Sequence, residues 1–145
     1  MKVKSKGFAA AASVTIAATA ERVWDALTNP SLIKQYLFGT DAVSDWKPGS
    51  PITYKGVWEG KPYEDKGTVV KFVPNKLLQT TYWSSMSGLP DRPESYNTIT
   101  YQLSENGGQT TLSIRQDNNP TREAADHSAG NWSKVLQAMK QLLEK

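Results

Sequence analysis

A single imidazole, no thiol and a concentration of aromatic rings bound the chemistry open to this chain. The imidazole is His127, in the polar run EAADHSAGN. Any histidine-based proton transfer or nucleophile activation must use it. Ser128 beside it is only a chain neighbour, and no nucleophile is spaced to form a triad with it. A solvated or helix-capping imidazole is therefore the plainer reading. With no cysteine and one histidine, thiolate and multi-histidine metal sites are excluded. Neither a metal nor a cofactor is expected.

The carboxylates Glu59, Glu64 and Asp65 flank a turn-forming EGK at 59–61. Solvated turn acids are the default reading. Strand alternation puts Asp65 on one face with Tyr63, Gly67 and Val69. Asp65 is thus the acid that can point inward and accept a proton with a raised pKa.

Five Trp and six Tyr in a small chain exceed what a plain core needs. Tyr54, Trp58, Tyr63, Tyr82, Trp83, Tyr96 and Tyr101 recur along the strand-like segments. Tyr54 and Trp58 are four apart, hence on the same face of a strand. Together with Trp132 and Met139 from a helix opposite, these residues are the expected lining of a pocket. It would hold a flat or greasy molecule, with the tyrosine hydroxyls setting its orientation. The competing reading is that the rings pack on one another and fill the space. Met86, Leu89 and Pro90 lie in a long Ser-, Gly- and Pro-rich loop placed to act as a lid. Trp46, in DWKPG, would mark a contact surface if exposed.

Positioning these residues requires elements, and periodicity supplies them. SVTI alternates, with Val14 and Ile16 on one side, as in a half-buried strand. Thr19 can cap a helix carrying Val23, Trp24 and Leu27 at helical spacing, with Glu21 in its first turn. TNP at 28–30 ends that helix, and a second short one is expected over 31–36. The middle of the chain reads as antiparallel strands. Two surround the EGK turn, one follows Pro74, and two flank the Gly-containing SENGGQ. After Pro120, the apolar residues Trp132, Val135, Leu136, Met139, Leu142 and Leu143 make one face of a long C-terminal helix. Gly130 and Asn131 mark a bend. A single sheet cannot bury its inner face alone, so this helix must cover it and leave a cleft between.

Length and composition fit one domain over 1–145, with a 38% hydrophobic content able to build one core. The net charge of +3 comes from basic residues scattered among acids, apart from Lys2, Lys4 and Lys6. Neither a basic cluster nor a nucleic-acid motif is present, so nucleic acid is not an expected partner. No apolar run reaches the length of a membrane-spanning helix. The opening MKVKSKGFAAAASVTIAATA has the outline of a secretory leader, with a basic start, an apolar stretch and ATA at 18–20. Its apolar stretch is mostly alanine, is broken by Ser13 and Thr15 and lacks leucine.

ATAERVWDALTNPSLIKQYL resembles the opening signature of the family of activator of heat shock protein 90 ATPase homologues. Tyr36 stands where a tryptophan is common. GTVVKFVPNKLLQTTYW resembles that family's central segment. GNWSKVLQAMKQLLE resembles its last helix, with Asn131 inserted between Gly130 and Trp132. The resemblance covers almost the whole chain. It implies an α+β, START-like helix-grip fold: a curved antiparallel sheet of six to seven strands around a long C-terminal helix, with two short helices after the first strand. It also makes the opening segment a strand and the compartment cytoplasmic.

Fold does not settle function. The expected role is binding of a small hydrophobic or aromatic molecule between sheet and helix, without covalent catalysis. Two other readings stay open. One is a co-chaperone contact stimulating a chaperone ATPase, although full co-chaperones of that type carry a further N-terminal domain. The other is a polyketide cyclase or aromatase using Asp65 or a tyrosine hydroxyl. The chain is expected as a monomer or a homodimer.

Overall fold

The computed structural model describes residues 7–37, 39–85 and 88–144, with only the backbone of Trp58. Lys2, Lys4, Lys6 and Met86 lie outside the described residues. The chain begins with β1 (Phe8–Ile16), α1 (Ala20–Thr28) and α2 (Pro30–Tyr36). Six strands follow: β2 (Asp41–Ser44), β3 (Pro51–Trp58), β4 (Lys61–Val73), β5 (Leu77–Ser84), β6 (Asn97–Asn106) and β7 (Gln109–Asn119). The last element is α3 (Arg122–Leu143). The sheet order is β1-β7-β6-β5-β4-β3-β2, and every neighbouring pair is antiparallel. This is the helix-grip arrangement, with α3 against the inner face.

Local chemistry explains most of the element ends. The Thr19 hydroxyl accepts from the Arg22 amide at 3.3 Å and opens α1. Asn29 is extended, closes α1 and caps α2 through the Ser31 amide at 3.0 Å, while Pro30 sits at the first helical turn. The β3–β4 and β6–β7 connections are two residues long, and both residues of each have positive φ: Glu59 and Gly60, then Gly107 and Gly108. Such turns match the twist of the strands they join. The first strand runs along β7 from Ala10 to Ile16, so the opening segment is part of the sheet.

Three sequence expectations change. The strand β2 was not read from the sequence, being only four residues between two loops. Gly130 and Asn131 mark no end or break, since α3 continues through them for 22 residues from its Thr121 cap. His127 consequently lies exposed within α3. Trp46 does not present a free surface: it is half-buried and packed against the core.

The core sits between the sheet and the helices. Ile16, Val23, Leu27, Ile52, Leu112 and Leu136 are among its buried members. Trp24 meets Phe72 edge-on at 5.1 Å and ties α1 to β4. Apolar burial stops short of filling the space under α3.

Candidate functional site

The unfilled space is a cavity of about 380 Å³ between α2, α3 and strands β3 to β7. Its lining follows from two periodicities. On the strands, inward side chains come every second residue: Leu78, Thr80, Tyr82 and Ser84 on β5, Ile99 and Tyr101 on β6, Ile114 and Gln116 on β7. On α3, Ser128, Trp132, Val135 and Met139 recur at spacings of three and four and face the strands. Ile33 and Tyr36 of α2 close one side. Leu78, Ile99, Ile114 and Met139 are buried, whereas Tyr54, Asp65, Tyr82 and Trp132 are half-buried. The cavity therefore has an apolar floor and an aromatic, polar rim.

Of the residues singled out in the sequence, the structure brings Tyr54, Tyr63, Tyr82, Tyr101, Trp132 and Met139 into this lining. It does not bring in Trp83 or Tyr96. Trp83 neighbours Tyr82 on β5 and so points to the opposite face of the sheet. There it stacks on Tyr96 at 6.5 Å, with the Lys66 ammonium 5.6 Å from its ring. Tyr96 precedes β6 and donates its hydroxyl to Asp91 at 2.6 Å, and Lys66 pairs with the same carboxylate. The Trp83 indole donates to the Leu89 carbonyl at 3.2 Å, which holds this stretch of the loop away from the cavity. Leu89 and Pro90 are not among the residues that line the cavity. The side chain of Trp58 lies outside the described residues.

Hydrogen bonds fix the aromatic rim. The Trp132 indole donates to Gln116 Oε1 at 2.8 Å and meets Tyr101 edge-on at 6.0 Å. The hydroxyls of Thr40 and Tyr63 bond to each other. Gly56 faces Tyr63 across the β3–β4 ladder, and a Cβ there would lie 2.7 Å from the Tyr63 Cζ. Glycine leaves room for the ring. Burial raises the pKa of Tyr36, Tyr54, Tyr82 and Tyr101, so each remains a neutral phenol.

Asp65 is the only Asp, Glu, Lys, Arg or His in the lining among the described residues. It sits in a cross-strand row between Tyr54 on β3 and Ser84 on β5. Its Oδ2 accepts from the Tyr82 hydroxyl at 2.7 Å. Its Oδ1 is buried without a hydrogen-bond partner among the described residues. Burial pushes its pKa up, and the neighbouring hydroxyls of Ser84 and Tyr82 act in the opposite direction.

Sequence reasoning passed over Tyr36, Thr40 and Gln116 as lining residues. The alternation of β7 was the available signal for Gln116, which shares a face with Ile114. The described residues contain no group of three His, Cys, Asp or Glu able to hold a metal ion. None of the described helices is long and apolar enough to cross a membrane. Chemically, the arrangement can enclose an apolar body, orient it through phenol hydroxyls, and offer one carboxylate oxygen.

A family model described as Activator of Hsp90 ATPase homolog 1-like protein matches residues 17–144. The chain belongs to that family. No curated protein matches it. The solution structure of ChR145 from Cytophaga hutchinsonii is 43% identical, with a TM-score of 0.83 over 98% of this chain and 97% of that one. Two more distant structures share the fold alone. Aha1 from Colwellia psychrerythraea, solved as a dimer, is 23% identical, with a TM-score of 0.74 over 95% and 97% of the two chains. CalU16 from Micromonospora echinospora is 17% identical, with a TM-score of 0.72 over 93% and 75%.

Proposed function

We propose that this member of the Activator of Hsp90 ATPase homolog 1-like family binds a small hydrophobic or aromatic molecule in the cavity under α3, without covalent catalysis. The observation that carries the reading is the unfilled cavity of about 380 Å³, with its apolar floor and neutral tyrosine rim. Interiors normally close-pack, so space on this scale beside six tyrosine and tryptophan rings is a departure that ligand occupancy explains. His127, the one imidazole, is exposed on α3 and is not part of the lining. Cytoplasmic residence belongs to the same proposal. It is supported by β1, whose removal as a leader would strip β7 of one of its two partners.

The test is titration with the neutral fluorescent dye N-phenylnaphthylamine. Saturable, stoichiometric binding is expected, weakened at least about tenfold by Ile99→Phe, which places a ring on the cavity floor. Circular dichroism and a thermal melt establish that the variant is folded. Absence of saturable binding to the wild-type protein overturns the reading.

The family match favours a second reading, a chaperone contact stimulating an ATPase. A chaperone ATPase assay with and without the purified protein separates the two, since unchanged turnover at saturating protein removes the contact.

A further inference from the structure

We infer that the molecule this cavity takes is an amine: an aromatic or apolar body carrying a nitrogen that donates to the Asp65 carboxylate. The inference rests on the ligand-binding reading above and gives that ligand its chemical class.

The carboxylate is placed as a recognition group, since it lines the cavity and has no cationic partner among the described residues. The described ion pairs join Lys34 to Asp41, Lys55 to Glu64, Lys66 to Asp91 and Lys140 to Glu144, all away from it. Its Oδ2 accepts from the Tyr82 hydroxyl and keeps a further lone pair. Buried charges are ordinarily paired, and a carboxylate without a cation in a cavity calls for one from the occupant. A hydrocarbon would leave the carboxylate unpaired, and an anion would be repelled. A protonated amine supplies a donor and the opposite charge together.

The surrounding rings favour the same class. Tyr54 lies opposite Asp65 in the β3–β4 register, and Tyr82 is bonded to it. Tyr101 and Trp132 continue the aromatic wall. Aromatic faces attract an ammonium through their quadrupole, and they pack against an aryl or alkyl body. Among the described residues no Lys or Arg is in the lining to compete with an ammonium. The buried floor of Leu78, Ile99, Ile114 and Met139 receives the apolar end.

Three ligands of nearly equal shape test this: naphthylmethylamine, naphthylmethanol and naphthoate, each measured by displacement of N-phenylnaphthylamine near neutral pH. The amine is expected to bind about 10- to 100-fold more tightly than the alcohol, with naphthoate weakest. Asp65→Asn should bring the amine to the level of the alcohol when both are titrated by calorimetry, with circular dichroism and a thermal melt showing that the variant is folded. Dye binding with the alcohol equal to or tighter than the amine overturns the inference and leaves the cavity reading standing. Failure of the dye and all three ligands overturns both. An amine preference that survives in Asp65→Asn removes Asp65 from the recognition.

Discussion

Replacing Asp65 by asparagine should stabilise the protein near neutral pH and lose that advantage in acid. The carboxyl's folded-state pKa is raised, chiefly by burial, above the value of about 3.9 for an unfolded aspartate. The folded protein therefore binds more protons than the unfolded chain between those two values. Stability attributable to this group falls as pH rises through that window, and the penalty is complete above it. Asparagine carries no charge at any of these pH values and still accepts from Tyr82. The gain comes from removing the charge from a half-buried site. An unmatched buried acceptor costs about 1–3 kcal/mol, and partial exposure to solvent reduces this, leaving about 1 kcal/mol. In a protein of this size that is about 2–4 °C in Tm. Urea unfolding of both proteins at several pH values between about 3 and 8 measures it, with the difference expected to shrink toward the acid end. A variant less stable than wild type near pH 8, or a difference independent of pH, would refute the reasoning.

Three further substitutions probe the frame around the cavity. Gly67→Ala would drive a Cβ into the Thr81 carbonyl, whose carbon lies 2.6 Å away, and no flexible side chain can yield there. A loss of about 3 kcal/mol or more is expected in urea unfolding, and a loss below about 1 kcal/mol would contradict the β4–β5 geometry. Gly130→Ala meets nothing within 4 Å inside α3, so a gain of about 0.5–1 kcal/mol is expected in the same assay. Destabilisation there would place Gly130 outside a regular helix. Trp132→Phe removes the donor to Gln116 Oε1 and should cost about 1–3 kcal/mol, with Gln116→Leu in the same background restoring part of it. Equal stability of Trp132→Phe and wild type would show that bond to be dispensable.

The order of elements was legible along the chain because the signals are local. Alternation in SVTI, the Thr19 and Pro30 helix starts and the two tight turns each depend on residues within a few positions. The inward set Tyr54, Tyr63, Tyr82 and Tyr101 was also within reach, since strand period fixes which residues share a face. Trp83 and Tyr96 were grouped with them because aromatic content was counted without dividing adjacent strand residues between faces. The short β2 escaped because four residues carry too little periodicity, and its strand is stabilised by pairing with β3. Gly130 and Asn131 lie within the unbroken 22-residue run of α3.

By itself, the sequence determined the elements, the apolar face of the last helix and the lack of a multi-histidine or thiolate centre. Only the tertiary structure decided that the space under α3 is open, and that Asp65 lies between Tyr54 and Ser84 with one oxygen on Tyr82 and the other unmatched. The physical reason is register. Asp65 and Tyr82 are 17 residues apart, and their meeting depends on the irregular pairing at Val69 and Lys71 that sets β4 against β5, while the two-residue turn between β3 and β4 sets Tyr54 against Asp65. A shift of one residue in either ladder would turn the carboxylate to the other face, so its role is a property of pairing between distant segments.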